Sequence, residues 1–413
     1  MVHSPPLRFS IDDLARFITA SPSAFHAAAT VRDTLVAHGF DEDNETTPGG
    51  HVMVQGGAVI AWWLPDRPAR GFRIIGAHTD SPGLSLKPDP DVLREGFRQA
   101  AVEVYGGPIL DSWFDRELEF AGRIVTVDGT EHLVRTGPVA RVPHLAIHLY
   151  RGDRPELDRQ VHLQPIIAID RPLTAIIADV AGVDPHQIAA HELISVDTQA
   201  PAAFGELFAS GRLDNLTSVH AAMQALIKAK DTTPQDALVV AAFNHEEVGS
   251  ASATGAQGPL LERVLNKIVS SWGQSDSTDN LLEVASRSSL ISADATHAVH
   301  PNYPGKHDPT HRPLINRGPV VKINANQRYA SDALSQTIWR RAADAAGVPV
   351  QYFVGHNAVP CGSTIGPFIA TQLGIATVDV GVPLLSMHSA RELAGIEDQL
   401  WFADALTAYL SGA

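Results

Sequence analysis

A single cysteine, Cys361, stands among 413 residues, so no intrachain disulfide can form. That scarcity fits a reducing compartment. Positive charge is also short: 31 Lys and Arg against 46 Asp and Glu leave a net charge of −15. This balance argues against nucleic acid or an anionic membrane as a main partner, because neither phosphate neutralisation nor lipid attraction would be favoured. No stretch approaches the roughly 20 apolar residues that a membrane helix needs. The first residues lack the apolar centre of a signal peptide, and no internal repeat or low-complexity tract is found. The expectation is a soluble cytoplasmic protein. Apolar material is plentiful at 44% of residues, enough for a large core, and the length suggests two domains.

Ser10 followed by Asp13 reads as a helix N-cap ahead of Leu14, Phe17 and Ile18. A second helix runs from about Ser23 to His38 and stops at Gly39. Gly56-Gly57 marks a hairpin turn, and an apolar strand after it ends just before His78. From about 82 to 208 the texture changes to short strand-like runs, with Asp128-Gly129 as a hairpin signal. After Gly211 strand and helix alternate again. The expected fold class is α/β. A catalytic α/β/α domain with a central mixed sheet, residues 1–83 and 209–413, is interrupted by an inserted β-rich domain at 84–208.

Five short clusters of metal-binding residue types follow strand ends or turns: His78 with Asp80, Asp214, Glu246 with Glu247, Asp294 with His297 and His300, and His388. They offer five potential ligands for two divalent ions and one spare carboxylate to act as a base, an arrangement that recurs in hydrolases and aminopeptidases. Each cluster alone has a plainer reading. His78 and Asp80 could be a surface pair, Asp214 a helix N-cap, and His388 the start of a helix. The Glu246-Glu247 pair could be solvated charge. It is not the zincin His-Glu-x-x-His, since Gly249 stands where the second His is required. Two adjacent acids without a cation would repel, a cost that a metal relieves. Of Asp294, His297 and His300, one or two are expected at a site, Asp294 first because it directly follows the strand. His144 and His148, four apart, suit a metal, a packed face or a subunit interface. Together the clusters argue against a purely structural protein.

Nine strings then align with one family: Gly-Ala-His-Thr-Asp-Ser-Pro, Tyr-Gly-Gly with Trp-Phe-Asp-Arg, His-Leu-Ala-Ile-His-Leu, Gly-Arg-Leu-Asp-Asn, Asn-His-Glu-Glu-Val-Gly-Ser, His-Ala-Val-His-Pro-Asn-Tyr, Gln-Arg-Tyr-Ala-Ser, Pro-Cys-Gly-Ser-Thr-Ile-Gly-Pro and Met-His-Ser-Ala-Arg-Glu. They cover nearly the whole chain, which resembles the aspartyl aminopeptidase family of zinc metallopeptidases. The resemblance implies a two-zinc enzyme, with cobalt or manganese as substitutes, that removes N-terminal Asp or Glu from peptides. It implies that His78 and Asp294 hold one ion, Glu247 and His388 the other, with Asp214 bridging. Glu246 would be the general base and Asp80 would support it or His78. His148 falls on a metal-site position, or reaches a neighbouring subunit's site. Lys322 and Tyr329, with His297 or His300, would receive the acidic side chain. The inserted domain would mediate dimerisation, and dimers would build a homododecamer. Two rival readings are a related two-zinc N-acyl-amino-acid hydrolase or carboxypeptidase, and an inactive assembly or cargo-binding scaffold.

Overall fold

The computed structural model describes residues 9–150, 152, 156–168, 170–273 and 278–413. The first helix, Ile11–Ala20, begins where the Ser10 hydroxyl accepts the Asp13 N–H, and it buries Leu14, Phe17 and Ile18. The second, Ala24–Ala37, is capped by Ser23 and gives way to Gly39 at φ +85°. The strands Gly49–Gln55 and Ala58–Leu64 pair across the turn at Gly56-Gly57.

A nine-stranded mixed sheet forms the centre. Its middle is four parallel neighbours, in the order Ala237–Phe243, Phe72–His78, Ser289–Ala293 and Ala376–Gly381. Every residue of Ala237–Phe243 is buried. Runs apolar on both faces demand cover on both sides. On one face Leu14, Leu35, Leu226, Trp339 and Phe402 pack from five helices. On the other lie Leu265, Val284 and Ile369 from three. The result is the expected α/β/α sandwich. Because the four strands are parallel, their carboxyl ends share one edge, where open α/β sheets place their chemistry. Gly381 sits at that edge because a Cβ there would meet the Asp294 carbonyl oxygen at 1.7 Å.

A second, six-stranded sheet is drawn from Gly83–Arg94, Phe97–Tyr105, Leu118–Thr126, Glu131–Arg135, Ile166–Ala168 and Ile188–Asp197. Helix Leu173–Ala181 covers it, and Leu84, Phe120, Val134 and Leu193 form a core separate from the main one. This is the β-rich insertion. Its sheet ends at Asp197, whereas the sequence reading runs the insertion to 208. The strands Ala202–Phe204 and Leu207–Ser210 belong instead to a five-stranded sheet with Glu392–Gly395, Pro383–Leu385 and Thr296–His297. Strands of two to four residues carry too little alternation to reveal their partners. No helix among the described residues is long and apolar enough to cross a membrane.

Candidate metal centre

Each site residue stands where a strand stops. His78 is the last residue of its strand, opposite Phe243, and Asp294 directly follows Ala293. Glu246 and Glu247 form a short turn three residues beyond Phe243, entered through His245 at φ +65°. Asp214 follows Leu207–Ser210 through Arg212 at φ +59°, and His388 lies in the loop before Glu392–Gly395 at φ +68°. Left-handed backbone at non-glycine residues is unfavourable, and three such residues cluster at this edge. Asp214 is not the helix cap that its position suggests. Its carboxylate faces the site instead, with Oδ1 toward His78 and Oδ2 toward His388.

The donor atoms converge. His78 Nε2 lies 3.3 Å from Asp214 Oδ1 and 3.4 Å from Asp294 Oδ1. His388 Nε2 lies 3.5 Å from Asp214 Oδ2 and 3.3 Å from Glu247 Oε2. Asp214 thus turns one oxygen to each histidine. Two ligand atoms on one tetrahedral zinc, each bonded at about 2.0–2.2 Å, stand about 3.4 Å apart, and these four separations match that spacing. Asp214 Oδ1 and Glu247 Oε1 are buried without a hydrogen-bond partner. Buried carboxylate oxygens are costly in that condition, and a cation relieves it. Both imidazoles are also oriented for metal. His78 Nδ1 is 3.1 Å from the Asp80 carbonyl oxygen, and His388 Nδ1 is 3.1 Å from that of Gly107. A carbonyl only accepts, so Nδ1–H donates and Nε2 faces the carboxylates, the usual tautomer control of metal-binding histidines.

The electrostatics record the crowding of acids. Burial opposes a proton on His78, but Asp214, Asp294 and Asp80 hold its pKa well above the ordinary value. His388 is carried to about 10, with burial outweighed by Asp214 and Glu247. Burial raises Glu247, and it raises Glu246 to about 7, where His78 opposes the rise and Asp294, Asp214 and Asp80 reinforce it. The field that favours protons here also favours divalent cations.

Asp80 is not among the donors. Its carboxylate accepts the N–H groups of Glu246 and Glu247, each at 3.1 Å, and the Tyr105 hydroxyl at 2.7 Å. It fixes the turn that carries both glutamates. Glu392, which sequence reasoning missed, does the same across the site, accepting the Asp214 N–H at 3.0 Å and the His388 N–H at 2.7 Å. Tyr105 was also missed. Both lie inside quoted strings, but nothing in their spacing distinguishes a residue that holds backbone.

The remaining residues divide. Lys322 is buried, with Nζ 3.0 Å from Asp294 Oδ2, 2.9 Å from the Ala295 carbonyl oxygen and 5.3 Å from the Tyr329 ring centre. Tyr329 packs on Phe353, as does the His297 ring. Burial, then Lys322, lowers the His297 pKa. His300 lies apart, its ring on Tyr303 and its Nδ1 accepting the Asn302 N–H. His148 is exposed and joins none of the donor groups found among the described residues. His144 pairs with Asp115, and His245 turns to the Ser252 hydroxyl.

Comparisons with known proteins agree with this geometry. The sequence pattern described as aminopeptidase I zinc metalloprotease (M18) matches residues 17–410. The chain is 45% identical to a probable M18 family aminopeptidase 2 of Streptomyces avermitilis, over 99% of this chain and 100% of the relative. The fold superposes on a chain of the Ape4 and Nbr1 complex with a TM-score of 0.90 at 34% identity, covering 97% of this chain and 85% of that one. The chain of the S. cerevisiae mApe1 dodecamer gives 0.84 at 26%, covering 97% and 96%. A purely scaffolding role is thereby set aside, and the donor set is that of a zinc-dependent peptidase: the chain belongs to the M18 family of aminopeptidase I zinc metalloproteases, and it is a metallo-aminopeptidase.

Proposed function

We propose that this aminopeptidase removes N-terminal Asp and Glu from peptides with two zinc ions per chain. The observation that supports two ions best is Asp214, which presents Oδ1 to His78 and Oδ2 to His388. His78, Asp214 and Asp294 form one three-donor group, and Asp214, Glu247 and His388 another. Bound there, zinc would acidify a water, polarise the scissile carbonyl and receive the free amino terminus. The protein's own steps fall to the glutamate pair. Glu247 is 3% exposed and close to His388, which suits a ligand; Glu246 is 16% exposed and 4.0 Å from His78, which suits a base at the mouth. Glu246 takes a proton from the attacking water and returns it to the leaving amine. Asp80 keeps the two glutamates in their separate roles through their backbone N–H groups.

The acidic preference rests on the family resemblance and on the group beside Asp294. Lys322 is the cation on that side, already paired with Asp294 Oδ2 at 3.0 Å, with Tyr329 and His297 near it, and His300 lies further out along the same segment. With a screening length near 8 Å at physiological salt, a cation beside the site bears on a bound carboxylate more than a net charge of −15 spread over the molecule. Assembly follows the same reasoning. A similar fold occurs in the mApe1 dodecamer, and the exposed His148 would complete a neighbour's site in a homododecamer of dimers. Hydrolysis of free and N-blocked Asp-, Glu-, Leu- and Lys-amides tests the function. Cleavage of blocked substrates would favour an N-acyl hydrolase instead.

A further inference from the structure

We propose that Glu392 is a positioning residue whose carboxylate fixes the spacing of Asp214 and His388, and so sets how tightly the donor group on the His388 side holds its ion. This rests on the two-ion reading of the site. Glu392 is 2% exposed. Its Oε2 accepts the Asp214 N–H at 3.0 Å and its Oε1 accepts the His388 N–H at 2.7 Å, one oxygen for each amide. Neither ligand holds its own backbone. Asp214 has non-helical torsions at the start of a helix, and His388 has a φ of +68°. They come from segments distant in sequence, and Glu392 is the group that ties them. It is itself fixed by strand pairing, with Ser210, just ahead of Asp214, as its partner in register. Asp80 does the equivalent work for Glu246 and Glu247. Two buried carboxylates therefore grip four amides: Glu392 those of two ligands, Asp80 those of one ligand and the base.

Two converging N–H groups need two acceptors. A carboxylate supplies them, whereas a glutamine would turn its NH₂ against one amide. Residues that orient metal ligands from behind typically cost 10–100-fold in metal affinity when lost. A structural role and a positioning role separate in one measurement. Stability gained from zinc follows the ratio of free ion to dissociation constant, whatever the stability of the metal-free protein.

The experiment uses the full chain, stripped of metal and titrated with zinc against a chromophoric chelator. Melting midpoints are recorded in excess zinc and in excess chelator. Wild type should take up about two ions. Glu392→Gln should bind one of them about 10–100-fold more weakly, and its zinc-induced rise in midpoint should shrink. Glu392→Asp keeps the charge but lacks the reach to both amides, so it should behave alike. It carries the comparison if the glutamine variant does not fold. Equal falls in midpoint with and without zinc, at wild-type zinc affinity, would show that Glu392 only packs, and would overturn the proposal. Uptake of a single zinc by wild type would instead remove the two-ion reading beneath it.

Discussion

The central sheet and the inserted sheet use apolar residues in opposite ways. In the centre, Ala237–Phe243 is buried along its whole length, and the chemistry sits where such strands end. In the insertion, apolar side chains also face outward: Leu145, Ile147 and Leu149 are 51%, 69% and 72% exposed, and Leu93 and Val127 are close to that. Exposed apolar side chains so close together as those at 145, 147 and 149 form a candidate contact surface. One region encloses its apolar surface around a metal centre. The other leaves it exposed, with His148 between Ile147 and Leu149.

Four substitutions or conditions test that division, beginning with the largest effect. Glu246→Gln should lower turnover by about 10²–10⁴-fold or more, because the base is lost while the ligands remain. Elemental analysis should still find its zinc. A variant that loses zinc, beside a Glu247→Gln that keeps it, would reverse the two roles. Lys322→Ala should cost Asp-amide hydrolysis about 30-fold or more beyond any loss on Leu-amide, since an unpaired carboxylate in a desolvated pocket forfeits several kcal/mol. Both substrates should slow somewhat, because Asp294 loses its 3.0 Å partner. An unchanged Asp-to-Leu ratio would move the anchor elsewhere.

Charging the outer face is the complementary test. Leu145→Asp, Ile147→Asp and Leu149→Asp together should reduce the assembly seen by light scattering while leaving the chain folded, since exposed positions contribute within about 0.5 kcal/mol each. A full-size assembly would show that this surface is not the contact. The smallest effect is in pH. Without zinc, His388 has a folded pKa of about 10, so its stabilising interactions are complete below the unfolded value of 6.5 and fade as pH rises through 10. Glu246, raised to about 7 from 4.5, is likewise penalised as pH rises between those values. Both signs agree. The zinc-induced rise in melting midpoint should therefore be larger at pH 8 than at pH 6. An equal rise at both pH values would contradict this.

Much of the centre is legible from residues alone, because apolar runs such as 72–77 and 237–243 name buried strands, and the candidates follow within three or four residues of each. Parallel pairing then brings those candidates together. What stays hidden depends on partners far away in sequence. Asp214 looks like a cap until its two oxygens are seen to face His78 and His388. Glu392 looks like any glutamate after an arginine until its two amides are in place. The strands 202–204 and 207–210 are too short to show that they pair with the His388 segment rather than with the insertion. Lys322 reads equally well as a solvated strand residue or a substrate anchor, and its bond to Asp294 emerges only once the sheet order sets Val320–Ile323 one strand away from Ser289–Ala293, with Ala376–Gly381 between them.

The central proposal is a two-zinc site that selects acidic N-termini. It is tested most directly by kcat/KM on Asp-amide and Leu-amide as metal-free protein is reloaded with zinc. We expect no turnover in chelator, activity that rises until about two ions are bound per chain, and a strong preference for Asp-amide throughout. Full activity at one ion, activity that survives chelation, or equal rates on the two substrates would contradict it.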